Sequence, residues 1–235
     1  MIELQDVTLR VGKRCILDEV SVSISRGSIV GLIGENGSGK TTLLKIIAGL
    51  LSPTSGTAMI SGKTITRQSA SRIAYMADTE DFYRFLTVRE LFRFYESQFP
   101  DFDMKKAFDI AAFLHVPLED KLKDLSKGSL GRAKIAVTFG RDADFYLLDE
   151  PFSGLDPMVR KDIVKGLIRF TDPDRQTILM STHEIQEAEP LFDKLLVLKK
   201  GSIIAEETVD GIRDQHGMDT TSWLISLFGE VYYKA

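Results

Sequence analysis

Cysteine, tryptophan and long apolar runs are scarce in this sequence of 235 residues. The one cysteine, Cys15, excludes a disulfide framework and fits a reducing compartment. The longest nearly apolar stretch covers residues 43–51 and is interrupted by Lys45, whereas a membrane-spanning helix needs roughly 18 or more apolar residues. Residues 1–6 show no basic segment followed by an apolar run, so we expect no signal peptide.

A strong charge of either sign is also missing. The chain has 30 Lys and Arg residues against 34 Asp and Glu residues, which gives a formal net charge of −4. This mildly acidic balance gives no support for nonspecific binding to nucleic acid, and we expect no nucleic-acid partner. Hydrophobic residues make up 43% of the chain, which together with the low net charge excludes a disordered chain. The length predicts a single cytosolic domain over residues 1–235.

The first 33 residues carry strand patterns of two kinds. Residues 2–4 and 20–24 alternate apolar and polar side chains, as half-buried antiparallel strands do. Residues 29–33 form a continuous apolar run, which is typical of a strand that is buried on both faces. A glycine-rich loop follows, and residues 41–50 then have the composition of a helix. We therefore predict an N-terminal antiparallel β subdomain that leads into a buried strand and a helix.

An alternation of strands and helices resumes in the second half of the chain. Apolar runs at residues 145–148, 177–180 and 194–198 predict strands. Residues 157–170 and 184–189, which lie between these runs, predict helices. Strands that alternate with helices favour a mostly parallel sheet, so the predicted fold class is α/β with a mostly parallel core sheet.

Two regions lie outside this alternation. Residues 82–113 contain ten aromatic residues at recurrent helical spacing, and we predict a helical subdomain over about residues 75–140. Two interpretations of the rings stay open: they form the core of this subdomain, or some of them line an exposed groove for a partner helix. The tail, about residues 205–235, closes with an amphipathic stretch that we expect to pack on its own domain. The apolar residues of that stretch are Trp223, Leu224, Leu227, Phe228 and Val231.

A glycine-rich loop at residues 34–42 fits the pattern G-x-x-x-x-G-K-[ST] and lies between the buried strand and the helix. Glycines let backbone N–H groups turn inward and form a concave anion site at the positive end of a helix dipole. Lys40 adds a charge for the β- and γ-phosphates, and the Thr41 hydroxyl is a ligand for Mg²⁺. The motif predicts a nucleoside triphosphate site, and its residues are Gly34, Asn36, Gly37, Ser38, Gly39, Lys40, Thr41 and Thr42.

Two acids, Asp149 and Glu150, follow the predicted strand at residues 145–148. Ligands of open α/β sheets bind at the carboxyl edge of the strands. Asp149 is therefore a candidate for holding Mg²⁺, and Glu150 is a candidate for activating the water that attacks the γ-phosphate. The alternative is a solvated Asp-Glu turn, which the phosphate loop upstream disfavours.

Three further motifs resemble those of ATP-binding cassette (ABC) ATPases. Residues 125–129, Leu-Ser-Lys-Gly-Ser, resemble the L-S-G-G-Q signature of this family. Residues 151–157 are similar to the family's segment that follows the catalytic glutamate, and residues 181–183 are similar to its switch-histidine region. The motifs occur in the family's order, and the resemblance covers about residues 1–210. It implies a P-loop NTPase fold of the ABC ATPase type, with ATP and Mg²⁺ as cofactors.

The resemblance implies a mechanism in which two cassettes face each other head to tail. Each ATP is then held between the phosphate loop of one chain and the signature of the other, so ATP joins the dimer and hydrolysis releases it. His183 is implied to contact the γ-phosphate and to position Glu150, which makes these two residues the catalytic candidates. Asp156 is implied to couple the two sites at the dimer interface. The residues implied to contact ATP in trans are Ser126, Lys127, Gly128 and Ser129.

Four positions depart from the family's pattern. Val11 stands where the family carries an aromatic residue that stacks on adenine, so this stacking is lost at the ATP site. Asp78 replaces a Gln; its carboxylate is a good Mg²⁺ ligand but is one methylene shorter, and we expect it to keep a metal or coupling role. Lys127 and Ser129 replace a Gly and a Gln of the signature. These departures are either tolerated drift or a specialisation for one half of an asymmetric dimer.

The resemblance implies a role in membrane transport. The ATPase motifs are complete and no substrate domain is recognisable, as in a transporter subunit that lies on the inner face of the cell membrane beside separate membrane permease chains. The Leu-Ser-Lys-Gly form of the signature and the acid at position 78 resemble bacterial exporters, so we predict export. The second cassette is either a copy of this chain or a different one. The alternatives are a soluble ABC ATPase that acts on ribosomes or nucleic acid, and a non-catalytic regulatory cassette, which Glu150 and His183 disfavour.

Overall fold

Two β-sheets lie in the part of the chain that the computed structural model describes, namely residues 1–79, 83–183, 185 and 188–229. The order of the strands is β2-β1-β4-β5 in a four-stranded sheet and β10-β9-β3-β8-β7-β6 in a six-stranded sheet. The strands are β1 Ile2–Val11, β2 Arg14–Ile24, β3 Ile29–Ile33, β4 Ser55–Ile60, β5 Lys63–Thr64, β6 Ile73–Met76, β7 Phe145–Asp149, β8 Thr177–Thr182, β9 Lys194–Lys199 and β10 Ser202–Thr208.

The four-stranded sheet is antiparallel throughout and contains the predicted N-terminal strands. β1 pairs with β2 in a register that sets Ile2 opposite Ile24. The six-stranded sheet is parallel from β9 to β6, and only β10 runs antiparallel, against β9. The predicted α/β class with a mostly parallel core sheet and an antiparallel β subdomain is confirmed.

Apolar cores cover both faces of the six-stranded sheet. On one face Leu32 of β3 packs in a cluster with β1 and with the helix that follows the phosphate loop. On the other face Ile33 belongs to a larger cluster that the remaining helices complete. Residues 29–33 are continuously apolar because alternate side chains of this central parallel strand enter different cores.

Seven α-helices occur in the described part of the chain. They are α1 Lys40–Ile47, α2 Val88–Gln98, α3 Met104–Phe113, α4 Lys127–Phe139, α5 Pro157–Phe170, α6 Val209–His216 and α7 Thr220–Phe228. Short 3₁₀ turns cover Arg67–Arg72, Leu122–Asp124 and Glu189–Leu191. Side-chain oxygens cap the first backbone N–H groups of six of these helices, and the capping residues are Thr87, Asp103, Ser126, Asp156, Thr208 and Asp219.

The predicted helical subdomain corresponds to α2, α3 and α4, and it begins after β6, which holds residues 75 and 76 in the core sheet. The degree of burial divides its aromatic rings into two sets. Phe92 and Phe102 are buried and pack against each other with ring centroids 6.2 Å apart. Tyr83 and Phe85 are exposed by 55% and 67%, and for these two rings the groove for a partner helix stays a prediction. Phe82 lies outside the described residues.

Two predictions from the C-terminal half have different outcomes. The helix predicted at residues 157–170 is confirmed as α5. Of the helix predicted at residues 184–189, three positions lie outside the described residues, and a 3₁₀ turn starts at Glu189. In the tail, α7 buries Trp223 and Leu224 in the larger core cluster, while the predicted contribution of Val231 lies outside the described residues. Over the described ranges, no helix combines the length and the apolar character that a membrane crossing requires.

Candidate functional site

The carboxyl ends of β3, β7 and β8 meet at one edge of the six-stranded sheet. The register sets Ile33 of β3 beside Thr182 of β8, and Ser181 of β8 beside Asp149 of β7. The phosphate loop follows β3, the acid pair ends β7, and His183 follows β8. The topology therefore brings together residues that lie more than a hundred positions apart in sequence.

A cavity of about 300 Å³ opens at this edge, and we name it the phosphate-loop cavity. Its lining contains most of the predicted ATP-binding residues together with two residues of β2 that the sequence did not single out. The lining residues are Arg14, Ile16, Asn36, Gly37, Gly39, Lys40, Thr41, Thr42, Asp78 and Glu150. Gly34 and Ser38 lie behind this surface and are buried.

The phosphate loop ends at Gly39, the residue before α1. Its φ of 112° is one that side-chain-bearing residues rarely adopt, so glycine is required for the chain to enter the helix. The hydroxyl of Ser38 is buried and makes no hydrogen bond within the described part of the chain. An unsatisfied buried hydroxyl beside a helix N-terminus suits a site built for an oxygen-rich anion.

Lys40 is the first residue of α1 and is only 6% exposed. Its Nζ donates to the carbonyl oxygen of Gly34 at 2.7 Å and to that of Glu35 at 3.3 Å. The same Nζ lies 3.2 Å from Oε1 of Glu150. The buried ammonium is therefore paired with a carboxylate at the mouth of the loop.

Asp149 is fully buried and is surrounded by hydroxyl groups. Its Oδ1 accepts hydrogen bonds from Thr41 Oγ1 at 3.1 Å and from Ser181 Oγ at 2.7 Å. Its Oδ2 accepts from Tyr75 Oη at 3.3 Å. Burial and the negative charge of Asp149 raise the pKa of Tyr75 above its ordinary value, so this phenol stays protonated and keeps donating.

Glu150 connects the phosphate loop with the residue after β8. Its Oε2 lies 2.8 Å from Nδ1 of His183, while Oε1 faces Lys40. The backbone N–H of Glu150 donates to Oγ of Ser181 at 3.0 Å, and its φ is 47°. Non-glycine residues with positive φ are uncommon, and this one turns the side chain across the carboxyl edge of the sheet.

The signature residues begin α4, apart from the phosphate loop of the same chain. The Ser126 hydroxyl oxygen accepts from the backbone N–H of Ser129 at 3.1 Å, and Ser126 is exposed. Asp156 begins α5 in the same way, since its Oδ1 accepts from the backbone N–H groups of residues 158 and 159 at 3.0 Å. The two helix starts lie side by side, because a Cβ on Gly128 would lie 3.2 Å from Val159.

A second cavity, of about 260 Å³, lies between α4 and the acid pair, and we name it the α4 cavity. Its charged lining residues are Asp78, Lys127, Lys134, Asp149 and Glu150. Asp78 and Glu150 therefore face both cavities. The Lys127 ammonium lies directly over Gly154, whose φ of 63° favours glycine at this position.

Val11 ends β1 opposite Arg14 of β2 and is 64% exposed. Arg14 and Ile16, and not Val11, line the phosphate-loop cavity. Neither Arg14 nor Ile16 was predicted, because nothing in the sequence around β2 signals contact with a loop that begins about twenty positions later.

Carboxylate and hydroxyl oxygens lie together at this edge. No group of three or more His, Cys, Asp and Glu residues in the described ranges has an arrangement that suits a metal ion. Thr41 and Asp149 nevertheless present oxygen atoms next to the phosphate loop. Asp78 lines the phosphate-loop cavity. Mg²⁺ commonly binds through one or two carboxylates plus substrate phosphates, so this donor set fits it.

The amino-acid sequence matches a known family. Residues 17–153 match the sequence model of the family described as ABC transporter. The ABC transporter ATP-binding protein YdbJ of Bacillus subtilis is 30% identical over 216 residues, which are 90% of this chain and 70% of that protein. The petrobactin import ATP-binding protein YclP of the same organism is 30% identical over 217 residues, 88% of this chain and 86% of that protein.

A solved structure of the ATP-binding subunit of an ABC transporter has the same fold. It superposes with a TM-score of 0.83 at 27% identity, and the match covers 97% of this chain and 99% of that one. The family model, the relatives and the fold agree with the motifs around the phosphate loop. The chain therefore belongs to the ABC transporter family and is an ATP-binding cassette that hydrolyses ATP.

Proposed function

We propose that this cassette powers export through separate membrane subunits, on the inner face of the cell membrane, by ATP-driven pairing with a second cassette. The observation that carries the hydrolytic part is the chain of contacts from Lys40 through Glu150 to His183 at the mouth of the phosphate loop. Each further part of the proposal has its own support.

The phosphate loop supports binding of the ATP phosphates. The buried Ser38 hydroxyl is left for an anion, and Lys40 already holds a carboxylate in place of one. A phosphate oxygen offers the lysine a stronger anionic partner, and its arrival would release Oε1 of Glu150. Binding of ATP would thereby uncover the carboxylate that hydrolysis needs.

The residues for Mg²⁺ would be Thr41 and Asp149, with Asp78 as a further ligand or coupling residue. Mg²⁺, when bound, supplies positive charge that polarises the γ-phosphate and stabilises the transition state. Three hydroxyl donors fix the Asp149 carboxylate, so its oxygens are held in position for a cation.

Glu150 is our candidate for the general base. Its carboxylate would accept a proton from the attacking water, while the imidazole of His183 holds Oε2 and fixes the direction of the carboxylate. His183 is half-buried at the same edge, where it would contact the γ-phosphate. The positive φ of Glu150 supports this role, since strained backbone is common at catalytic positions.

The start of α4 supports pairing with a second cassette. Ser126 and Lys127 are exposed and lie outside the lining of the chain's own phosphate-loop cavity. The exposed N–H groups at this helix start would bind the γ-phosphate that a second cassette presents, and Gly128 and Ser129 would contribute to the same contact. Asp156 caps the adjacent helix and would couple the two ATP sites.

The exposed rings near α2 support a membrane partner. The Tyr83 ring contacts those of Phe85 and Phe94, with ring centroids 5.8 and 5.4 Å apart. Exposed aromatic clusters of this kind mark surfaces for partner helices. We favour export over import on the form of the signature and on Asp78, although the relative YclP is named for import.

The test is the rate of ATP hydrolysis by Glu150→Gln against a matched exposed control, Glu119→Gln. We expect the Glu150 variant to lose about 10²-fold or more in kcat and to accumulate an ATP-bound dimer. The control, whose glutamate pairs with Arg89 on the surface, retains its rate. Unchanged hydrolysis in Glu150→Gln would exclude Glu150 as the general base and would leave this residue with a role in ATP binding alone.

A further inference from the structure

Lys134 lies in the third turn of α4 and is only 7% exposed. Its Nζ donates to the carbonyl oxygens of three consecutive residues, Ala77 at 3.3 Å, Asp78 at 3.1 Å and Thr79 at 2.8 Å. Lysine is almost never buried without partners, and an ammonium has three donors. The chain thus uses one buried charge to hold one short backbone segment.

The segment that Lys134 holds leads from the core sheet to the candidate site. It leaves β6 directly after Met76, and its middle residue, Asp78, lines both the phosphate-loop cavity and the α4 cavity. Three carbonyls that face the same ammonium curve the backbone around it, which fixes where the Asp78 side chain begins.

The other end of the contact is the helix that carries the signature. Lys134 lies about two helical turns after Ser126, so both belong to one rigid α4. A displacement of the start of this helix would therefore move the segment at residues 77–79. The contact joins the surface that would meet a second cassette with an acid of the chain's own ATP site.

We infer that Lys134 is a positioning residue, which ties residues 77–79 to α4 and so sets the place of Asp78 for ATP hydrolysis. This inference rests on the proposed function, because it assumes that Asp78 acts in hydrolysis. The contact between Lys134 and residues 77–79 involves only atoms of this chain, so it can be tested without ATP hydrolysis.

The variant Lys134→Met keeps the length and the apolar stem of the side chain but removes its donors and its charge. The matched control is Lys106→Met. Lys106 is a half-buried lysine on α3 whose ammonium lies 5.9 Å from the ring centroid of Tyr146, and it lines neither cavity. Both variants remove one partly or fully buried lysine from the helical region.

The first readout is the split between kcat and KM for ATP. We expect Lys134→Met to lower kcat about tenfold and to leave KM within about threefold, because a misplaced group slows the reaction step more than it weakens binding. Lys106→Met is expected to keep kcat within about twofold, since Lys106 lines neither cavity. Equal losses of kcat in both variants, or a change confined to KM, would overturn the inference.

The second readout is independent of ATP hydrolysis. A nitroxide is attached to Thr79→Cys in a Cys15→Ser background, which leaves one thiol because Cys15 is the chain's single cysteine. We expect the electron paramagnetic resonance line shape to become more mobile with Lys134→Met and to stay unchanged with Lys106→Met. An unchanged line shape in Lys134→Met would show that Lys134 does not hold residues 77–79 in place.

The two readouts separate the two proposals. If hydrolysis does not depend on Glu150 while the line shape responds to Lys134→Met alone, the proposed function fails and the contact between Lys134 and residues 77–79 stands. If hydrolysis depends on Glu150 but neither kcat nor the line shape responds to Lys134→Met, the proposed function stands and the inference about Lys134 is wrong.

Discussion

The phosphate-loop cavity and the α4 cavity share Asp78 and Glu150, yet they hold their lysines differently. Lys40 contacts two loop carbonyls and the Glu150 side chain, beside a Ser38 hydroxyl that has no partner within the described residues. Lys134 donates to three consecutive carbonyls of one segment. The first arrangement leaves groups for a ligand to take over, whereas in the second the acceptors within the described residues are backbone carbonyls.

This difference shows how the role of a buried lysine can be inferred from its acceptors. A carboxylate on a movable side chain is a partner that a phosphate can displace, so Lys40 suits a binding site. Consecutive backbone carbonyls cannot be displaced without unfolding the segment, so Lys134 suits a structural link. Mutations of Lys40 and of Lys134 should therefore affect different steps of ATP hydrolysis.

Lys40→Met should have the largest effect. It removes the charge that would hold the β- and γ-phosphates, and we expect kcat/KM for ATP to fall about 10²- to 10³-fold. Steady-state hydrolysis measures it, with Lys45→Met on the same helix as the control. A loss of comparable size in the control would show that α1 stability, and not the Lys40 charge, sets the rate.

His183→Ala tests the contact with Glu150, which lines both cavities. The imidazole holds Oε2 of Glu150 at 2.8 Å, and its loss should lower kcat about 30- to 100-fold with a small change in KM. Pre-steady-state and steady-state hydrolysis measure this split. His216→Ala, far from the site beside Trp223, serves as the control and should leave both constants unchanged. A rise in KM alone in His183→Ala would assign the histidine to ATP binding.

Tyr75→Phe should have a smaller effect, on stability and on its dependence on pH. Above about pH 10 the unfolded chain loses the phenol proton while the folded chain keeps it, because the pKa of Tyr75 is raised in the folded state. The free energy of unfolding of the unmodified protein therefore falls as the pH rises from 9 to about 11, and the fall is shallower in Tyr75→Phe. Urea unfolding at several pH values measures it.

A parallel fall in both proteins would contradict the contact between Tyr75 and Asp149. At neutral pH the same variant removes one of three hydroxyl donors from Asp149, at an expected cost of about 1 kcal/mol. Tyr83→Phe, which removes the hydroxyl of an exposed ring, is the control.

Val11→Tyr should have the smallest effect and tests the position opposite Arg14, which lines the phosphate-loop cavity. A ring at this position would stack on adenine as the family's aromatic residue does, and we expect KM for ATP to fall about threefold. Steady-state kinetics with Val11→Ala as the control measures it. No change in KM would mean that Arg14 and Ile16 already fill the space that the base needs.

The sequence was sufficient for those parts of the site that lie together in the chain. The phosphate loop and the acid pair could be predicted because each is a short motif next to a recognisable apolar strand. The pairing of His183 with Glu150 depends on the neighbouring positions of β7 and β8, and only the resemblance to ABC ATPases suggested it.

The contacts that the sequence missed join residues without a shared motif. Tyr75 reaches Asp149 across 74 positions, and Lys134 reaches residues 77–79 across 55 to 57 positions. A tyrosine in a strand and a lysine in a helix are ordinary residues until the strand order places them. For the fold, periodicity predicted which elements exist, while the strand order and the edge position of β6 required the structure.

The measurement that distinguishes the two lysines most directly is the affinity for ATP, determined by isothermal titration calorimetry on Lys40→Met and Lys134→Met. We predict that Lys40→Met weakens binding by about tenfold or more and that Lys134→Met binds within about threefold of the unmodified protein. Equal weakening in both variants, or tight binding without Lys40, would contradict the assignment of Lys40 to the ligand and of Lys134 to the protein's own backbone.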